Sequence, residues 1–282
     1  MPSDSGATPA GSPSDYAMGS SDRERQRLMQ QGALLRDFTA SAFRSAGIGP
    51  GMRVLDLGCG VGDVSLVAAD LVGPSGSVVG LDRDPANVAW AAKRFAAAGH
   101  SNIHPQVCEF SQFADPQPFD ALVGRFILMY LPDPAATIRQ MLPHLRSGAA
   151  VAFVEIDAAT PARREPEFPL IRDCERWFVE VLRRSGARID MGMHLYQTYR
   201  DAGLPKPGTG VFHLSGCGVN RDIIDFFVEG IRSILPKIEQ LGIATREEVQ
   251  IDTLADRLEA AASAANAQWV SSRYLAAWTH KP

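Results

Sequence analysis

The chain reads as an α/β protein, a parallel sheet with helices on both faces, and three observations predict it. Short apolar runs of strand length alternate with helix-length stretches through residue 157. A glycine turn, Gly58-Cys59-Gly60-Val61-Gly62, joins the apolar run Val54–Leu57 to a helical start at Val64. Two later junctions, Asp84-Pro85 and Asp133-Pro134, place a capping Asp before a proline at the first helical position.

Taken in order, Ser21-Asp22-Arg23-Glu24 has the form of a capping box. Leu28, Leu35, Phe38 and Ala42 then recur at near-helical spacing to about residue 45. Gly47, Gly49, Pro50 and Gly51 end that helix and lead into the first strand. Val64–Leu71 is a short helix, Gly73-Pro74-Ser75-Gly76 a loop, and Ser77–Leu81 a second strand ending in Asp82. The helix begun at Asp84-Pro85 runs to about Ala98, where Gly99 stops it. Ile103–Cys108 is the third strand and Phe119–Leu128 the fourth. The helix after Asp133-Pro134 extends to about Arg146, and Ser147-Gly148 leads into the fifth strand, Ala149–Ile156.

Beyond Asp157 the pattern changes. Residues 167–184 and 190–202 read as helices and Gly208–Leu214 as a strand. The very apolar segment 221–235 reads as a lid over a substrate pocket, with packed core as the rival reading. Leu254, Leu258, Ala262, Ala265 and Trp269 form one helical stripe over 252–269, and Arg273–Thr279 is a closing strand. The expected organisation is a disordered tail over 1–19, rich in Ser, Gly and Pro, a ligand-binding core with its N-terminal helix over 20–157, and a completion of the sheet with a helical cap over 158–282.

Composition narrows the function classes. A net charge of −4 gives no basic surplus for nucleic acid. Cys59, Cys108, Cys174 and Cys217 are scattered, with no C-x-x-C pair, so the sequence predicts neither a metal site nor a disulfide framework. No apolar run approaches the ~18 residues of a membrane helix, and the N-terminus lacks the basic and apolar regions of a secretory signal. A cytoplasmic setting is expected, with a small-molecule partner rather than nucleic acid or membrane, and a monomer or homodimer.

The glycine turn is where a ligand belongs. Glycines admit close backbone approach, and the helix behind them offers free N–H groups. The spacing is G-x-G-x-G, not the G-x-G-x-x-G of dinucleotide sites. Asp56, two residues before the first glycine, would repel a pyrophosphate but suits an ammonium group. Asp82, twenty residues past Gly62, can accept hydrogen bonds from both hydroxyls of a ribose. The pair suggests a ligand with an amino-acid end and a nucleoside end.

On these residues the chain resembles the class I S-adenosylmethionine-dependent methyltransferases. The resemblance runs from Val54–Gly62 and Asp82 through Val107-Cys108-Glu109-Phe110, Phe119-Asp120-Ala121-Leu122 and Leu145-Arg146-Ser147-Gly148, about residues 50–157. Tyr16-x-Met18-Gly19, Arg27-Leu28, Gln31 and Ala277-Trp278-x-x-Lys281-Pro282 are similar to a bacterial small-molecule branch of that family. It implies a Rossmann-like seven-stranded mixed sheet of order 3-2-1-4-5-7-6 with strand seven antiparallel, S-adenosylmethionine as cofactor and S-adenosylhomocysteine as product. It also implies roles. Gly58, Cys59 and Gly60 hold the methionine part, Asp56 supports its ammonium, and Asp82 holds the ribose. Arg83 lies along the adenine, Glu109 and Phe110 recognise its edge and face, and Gly124 and Arg125 border the sulfonium. Tyr16 and Gln31 are candidates for a cover over the cofactor. Two departures stand out: Cys108-Glu109 replaces the usual Gly-Asp, and Ser147-Gly148 lacks the usual Pro and second Gly.

Methyl transfer is an in-line displacement that mainly needs alignment and exclusion of water, with a general base for a hydroxyl acceptor. Tyr130, Glu155, Asp157 and His194 are the catalytic candidates; each also has a plain structural reading as a strand-end cap, a loop acid or a satisfied histidine. The expected activity is methylation of a small, apolar or aromatic metabolite. Two alternatives stay open: a non-methylating enzyme on the same cofactor fold, and a non-enzymatic cofactor sensor or partner subunit.

Overall fold

A computed structural model describes residues 22–160, 163–166, 169–217 and 220–282. The tail at 1–19, Tyr16 and Ser21 of the capping box lie outside the described residues.

The first half follows the expected alternation. Its elements are α1 (Asp22–Ser45), β1 (Arg53–Leu57), α2 (Asp63–Val72), β2 (Ser77–Asp82), α3 (Pro85–Ala97), β3 (Ile103–Val107), β4 (Phe119–Arg125), α4 (Pro134–Met141) and β5 (Leu145–Asp157). Asp84 and Asp133 cap α3 and α4 as their sequence suggests, accepting the N–H of Ala86 and Ala136. The second half adds β6 (Arg163–Glu165), α5 (Pro169–Arg184), α6 (Met191–Asp201), β7 (Gly208–Phe212), β8 (Ser215–Cys217), α7 (Arg221–Gln240), α8 (Arg246–Val249), α9 (Leu254–Ala265), β9 (Gln268–Val270) and β10 (Arg273–His280).

Seven strands form the main sheet in the order β3-β2-β1-β4-β5-β10-β7. In strand count this is the expected 3-2-1-4-5-7-6. The first five are mutually parallel, and β10 inserts antiparallel between β5 and β7. Successive residues on each strand face opposite layers. Leu55, Leu57, Leu122, Val151 and Phe153 pack into one core with α4, α5, α6 and α7. Val54, Val78, Ala121, Val123 and Val154 pack into the other with α1, α2 and α3. Burial on both faces explains why these strands read as continuous apolar runs.

Four expectations change. The fourth strand stops at Arg125, not Leu128, because Phe126 takes φ 54° and turns the chain out of the sheet. The helix from Pro134 ends at Met141: Pro143 follows, and Leu142–His144 is a 3-10 turn. β5 already begins at Leu145, with Ser147-Gly148 as an irregularity inside it. The last helix ends at Ala265, where Asn266 adopts φ 48°, so Trp269 belongs to β9. β9 pairs with β6 and β8 in a small three-stranded sheet that no sequence signal announced.

The apolar stripe of α7 is packed core. Val228, Ile231, Ile234, Leu235 and Ile238 are buried, and the helix packs against α5, α9 and α1. Among the described residues no helix is long and apolar enough to cross a membrane.

Candidate cofactor and substrate site

At the carboxyl ends of β1, β2, β3 and β4 lies a cavity of about 500 Å³, open on one side and walled by α1 and α5. In open α/β sheets this is where ligands bind. The cavity's lining joins polar groups, among them the glycine turn, Asp82, Arg83, Asn87, Glu109 and Arg125, with apolar side chains that include Phe126, Ile127, Met129, Leu131, Ile156, Phe178 and Leu182.

The glycine turn is built for close approach. Gly58 and Gly60 hold φ of 66° and 54°, conformations that cost little only without a side chain. A Cβ on Gly58 would lie 2.5 Å from Ile127 Cδ1, whereas one on Gly60 would meet nothing within 4 Å. Gly58 therefore serves packing under the turn, and Gly60 leaves open space above it. The Asp82 carboxylate ties the turn to β2: Oδ2 accepts the Gly60 N–H at 2.8 Å and Oδ1 the Asp84 N–H at 2.9 Å. Burial pushes its pKa up, while these N–H donors and Asn87 pull it down.

The structure brings together ten of the residues singled out from sequence: Gln31, Gly58, Cys59, Gly60, Asp82, Arg83, Glu109, Phe110, Arg125 and Tyr130 all line the cavity. Arg27 and Leu28, which share the resemblance with Gln31, line it too from α1, and the structure adds Phe178 and Leu182 one turn apart on α5. The last pair was legible only as an i, i+4 step on a generic amphipathic face, which does not say what the face meets.

Five residues sit elsewhere. Asp56 is fully buried beneath the turn and does not face the cavity. Its Oδ2 accepts the Ser65 hydroxyl at 2.6 Å and its Oδ1 has no hydrogen-bond partner. Burial pushes this carboxyl up to about 7. Asp56, expected to support a ligand ammonium, instead makes its hydrogen bond to Ser65 on α2, outside the cavity lining. Gly124 lies just behind the wall, where a Cβ would press on Phe153 and Ile127. Glu155 is wholly buried and uses Oε1 to accept the N–H of Ile127 at 3.0 Å and Leu128 at 2.8 Å. It is a clamp on the turn after β4, and burial pushes its carboxyl up to about 8. Asp157 is buried against Arg273, 2.5 Å away. His194 lies on α6, outside the cavity lining, with Nδ1 3.2 Å from an Asp190 carboxylate oxygen. None of these three catalytic candidates lines the cavity: Glu155 and Asp157 are buried at the end of β5 and engage the nearest donors, and His194 pairs within α6.

The residues present fit S-adenosylmethionine. An open glycine cradle, a strand-end carboxylate on the cavity rim and an acid–aromatic pair at 109–110 match, in chemistry, an amino-acid backbone, a ribose diol and a purine.

The fold and this site define a Rossmann-like methyltransferase. A family model for the methyltransferase domain matches residues 48–202, more than half of the chain, and the chain belongs to that family. Aklanonic acid methyltransferase DauC of a Streptomyces species is 32% identical over 167 residues, covering 55% of this chain and 76% of that protein. A 2-phytyl-1,4-naphtoquinone methyltransferase of Synechococcus elongatus is 31% identical over 134 residues, covering 46% of this chain and 54% of its own length. Among solved structures, the YcgJ protein from Bacillus subtilis shares the fold at 17% identity and a TM-score of 0.57, over 87% of this chain and 98% of that one. The (4+2)-cyclase SpnF shares it at 19% identity and a TM-score of 0.52, over 88% and 81%.

Proposed function

We propose that the acceptor methylated by this enzyme is a small, largely apolar or aromatic metabolite, bound in the inner end of the cavity with S-adenosylmethionine in the outer end. The observation that carries this reading is that one cavity is lined both by the polar strand-end groups and by a set of apolar side chains, Phe126, Ile127, Ile156, Phe178 and Leu182 among them. Two of the relatives are named for acting on aklanonic acid and on a naphthoquinone, which supports an acceptor of that general kind.

When bound, the cofactor supplies a methyl group already activated by a sulfonium. What remains for the chain is binding, alignment and exclusion of water. The Gly58-Cys59-Gly60 backbone would hold the amino-acid end, Asp82 the ribose, and Glu109 with Phe110 the adenine. Asp82 can turn its lone pairs from the Gly60 and Asp84 N–H groups toward hydroxyl donors without leaving the rim. Phe126, Ile127, Ile156, Phe178 and Leu182 would desolvate the acceptor and hold it flat. Tyr130 lines the cavity beside Met129 and Leu131, and its phenol is the group we assign to orient an acceptor hydroxyl or carbon acid. α1 and α5 form the walls that close over the pair. The scattered cysteines favour a reducing cytoplasm, and a monomer or homodimer suffices for a cavity drawn from one chain.

The test is turnover of a panel of neutral and acidic polycyclic aromatics and quinols, with S-adenosylhomocysteine release and acceptor mass followed together. Methylated product formed with equal S-adenosylhomocysteine supports the reading. Conversion of an acceptor without S-adenosylhomocysteine would replace it with a non-methylating reaction.

A further inference from the structure

Behind one wall of the cavity the helical layer has an unfilled place. Phe178 of α5 is half-buried and lines the cavity. On its far side runs α7, which packs against α5. Gly230 of α7 faces the ring, buried near the middle of a helix of 20 residues. A Cβ on Gly230 would lie 3.8 Å from Phe178 Cε2, and among the described residues outside its own helix it would meet no other atom within 4 Å. Protein interiors are densely packed, so a buried position with one neighbour is unusual.

The other glycines within the described helices are different. A Cβ on Gly32 of α1 would run into the Asp63 carboxyl, and one on Gly192 of α6 would lie 2.8 Å from Leu275 Cδ1. Close packing demands glycine at both. Nothing of that kind demands it at position 230, where alanine would favour the helix. What glycine leaves there is space, and the side chain bordering that space also borders the cavity.

α7 itself is a fixed back wall. Val228 and Ile231, on either side of Gly230, are buried. Glu229 accepts two N–H groups of Arg23 from α1, at 2.8 and 3.1 Å. Arg232 donates to the Asp252 carboxylate and to the Ile251 carbonyl. The helix is held on both sides of residue 230, so the part that can yield is the ring of Phe178. A phenylalanine side chain changes rotamer without moving its helix. Turned toward Gly230, the ring withdraws from the cavity; a larger residue at 230 would hold it forward.

We propose that Gly230 is a specificity-determining residue that sets the upper size of the acceptor: the space it leaves lets Phe178 fall back before a substrate of several fused rings. The inference rests on the reading that the cavity takes an apolar or aromatic acceptor. Gly230 acts through Phe178 and touches no ligand itself.

Fluorescence titration of the full chain, with S-adenosylhomocysteine in excess, tests this. The probes are 2-naphthol and the larger 2-anthrol. The proteins are wild type, Gly230→Ala, Gly230→Val and the double variant Gly230→Val with Phe178→Ala. Wild type is expected to bind both probes. Gly230→Val should lose about tenfold or more of its affinity for 2-anthrol and much less for 2-naphthol. The double variant should recover 2-anthrol. Overpacking by valine can unfold the chain, so Gly230→Ala carries the same test: its methyl sits at ordinary contact distance, and it should melt no lower than wild type yet favour the smaller probe. Equal losses for both probes, or no loss in any variant, would overturn the proposal. So would a loss that the double variant does not recover, since the effect would then bypass Phe178. If wild type binds neither probe, the aromatic-acceptor reading fails by itself. Fluorine resonances of 4-fluorophenylalanine placed at position 178 then decide the role of Gly230: two ring positions in wild type and one in Gly230→Ala support it, and identical spectra overturn it.

Discussion

Glu155 Oε1 accepts the backbone N–H of Leu128 at 2.8 Å, and with the same oxygen that of Ile127 at 3.0 Å. A carboxylate at the end of β5 thereby shapes the turn leaving β4. That turn presents Ile127, Met129 and Tyr130 to the cavity. Glu155 touches no ligand space, yet it decides where the cavity's inner wall stands. Replacing it by Ala leaves two buried N–H groups unsatisfied and should cost about 1–3 kcal/mol for each group exposed to no partner. Chemical denaturation checks this; an unchanged unfolding midpoint would remove Glu155 from the architecture of the site.

The same residue makes stability depend on pH. Its pKa in the folded chain is raised from 4.5 to about 8, so the native state holds the proton more tightly than the unfolded chain. Stability is then greatest below the ordinary glutamate range and falls as pH rises from about 4.5 to about 8. Asp56, raised from 3.8 to about 7, slopes the same way. Glu155→Gln keeps an acceptor oxygen and cannot ionise. Its melting temperature relative to wild type should climb with pH across that window; a constant offset would contradict the raised pKa.

Asp82 should carry cofactor affinity. Asp82→Ala removes charge-assisted bonds to a ribose and also releases the Gly60 and Asp84 N–H groups. Binding of S-adenosylhomocysteine should weaken by about 1–3 kcal/mol, measured by calorimetry. Affinity equal to wild type would sink the ribose assignment.

The two glycines of the turn should respond differently to the same substitution. Gly58→Ala suffers both a positive φ and a clash with Ile127, whereas Gly60→Ala suffers the φ alone. Both lose stability, by about 1–3 kcal/mol for the backbone strain, with Gly58→Ala the worse. Gly60→Ala should lose more ligand affinity per unit of stability lost, since its methyl enters open space above the turn. Parallel melting and titration series separate the two effects.

Asp157 and Arg273 should behave as a structural pair. Asp157 is 1% exposed and Arg273 33% exposed, so removing the arginine strands a buried charge, while removing the acid leaves a cation that can reach water. Arg273→Ala should therefore cost more than Asp157→Ala, with about 3 kcal/mol as the scale for stranding a buried charge. The reverse order in denaturant midpoints would show that Asp157 has another partner.

Much of the fold was legible because it rests on local rules. Asp-Pro starts at 84–85 and 133–134 cap helices as expected, and the inner strands read as apolar runs because both faces are covered. What was missed depends on long-range pairing. β6, β8 and β9 are three residues each, and β9 pairs with β6 across about a hundred positions of chain and with β8 across about fifty, so none carries a periodic signal of its own. The lid reading of 221–235 failed for a similar reason: an apolar helical stripe looks the same whether it faces a ligand or, as in α7, the helices α5 and α9.

The order of elements, the glycine turn with Asp82 at its rim, and the kind of cofactor they suit were determined by sequence alone, since short spacings impose backbone conformation and bring those groups together within one β-α-β unit. Which acids face the cavity was decided only by tertiary structure. Asp56, Glu155 and Asp157 are as acidic in the sequence as Asp82, but three of them are buried beside local donors and one stands on the cavity rim. The surroundings of Arg125 belong to the same class of fact: that its guanidinium meets Thr39 of α1, eighty-six positions away in the chain, is decided by the folded structure.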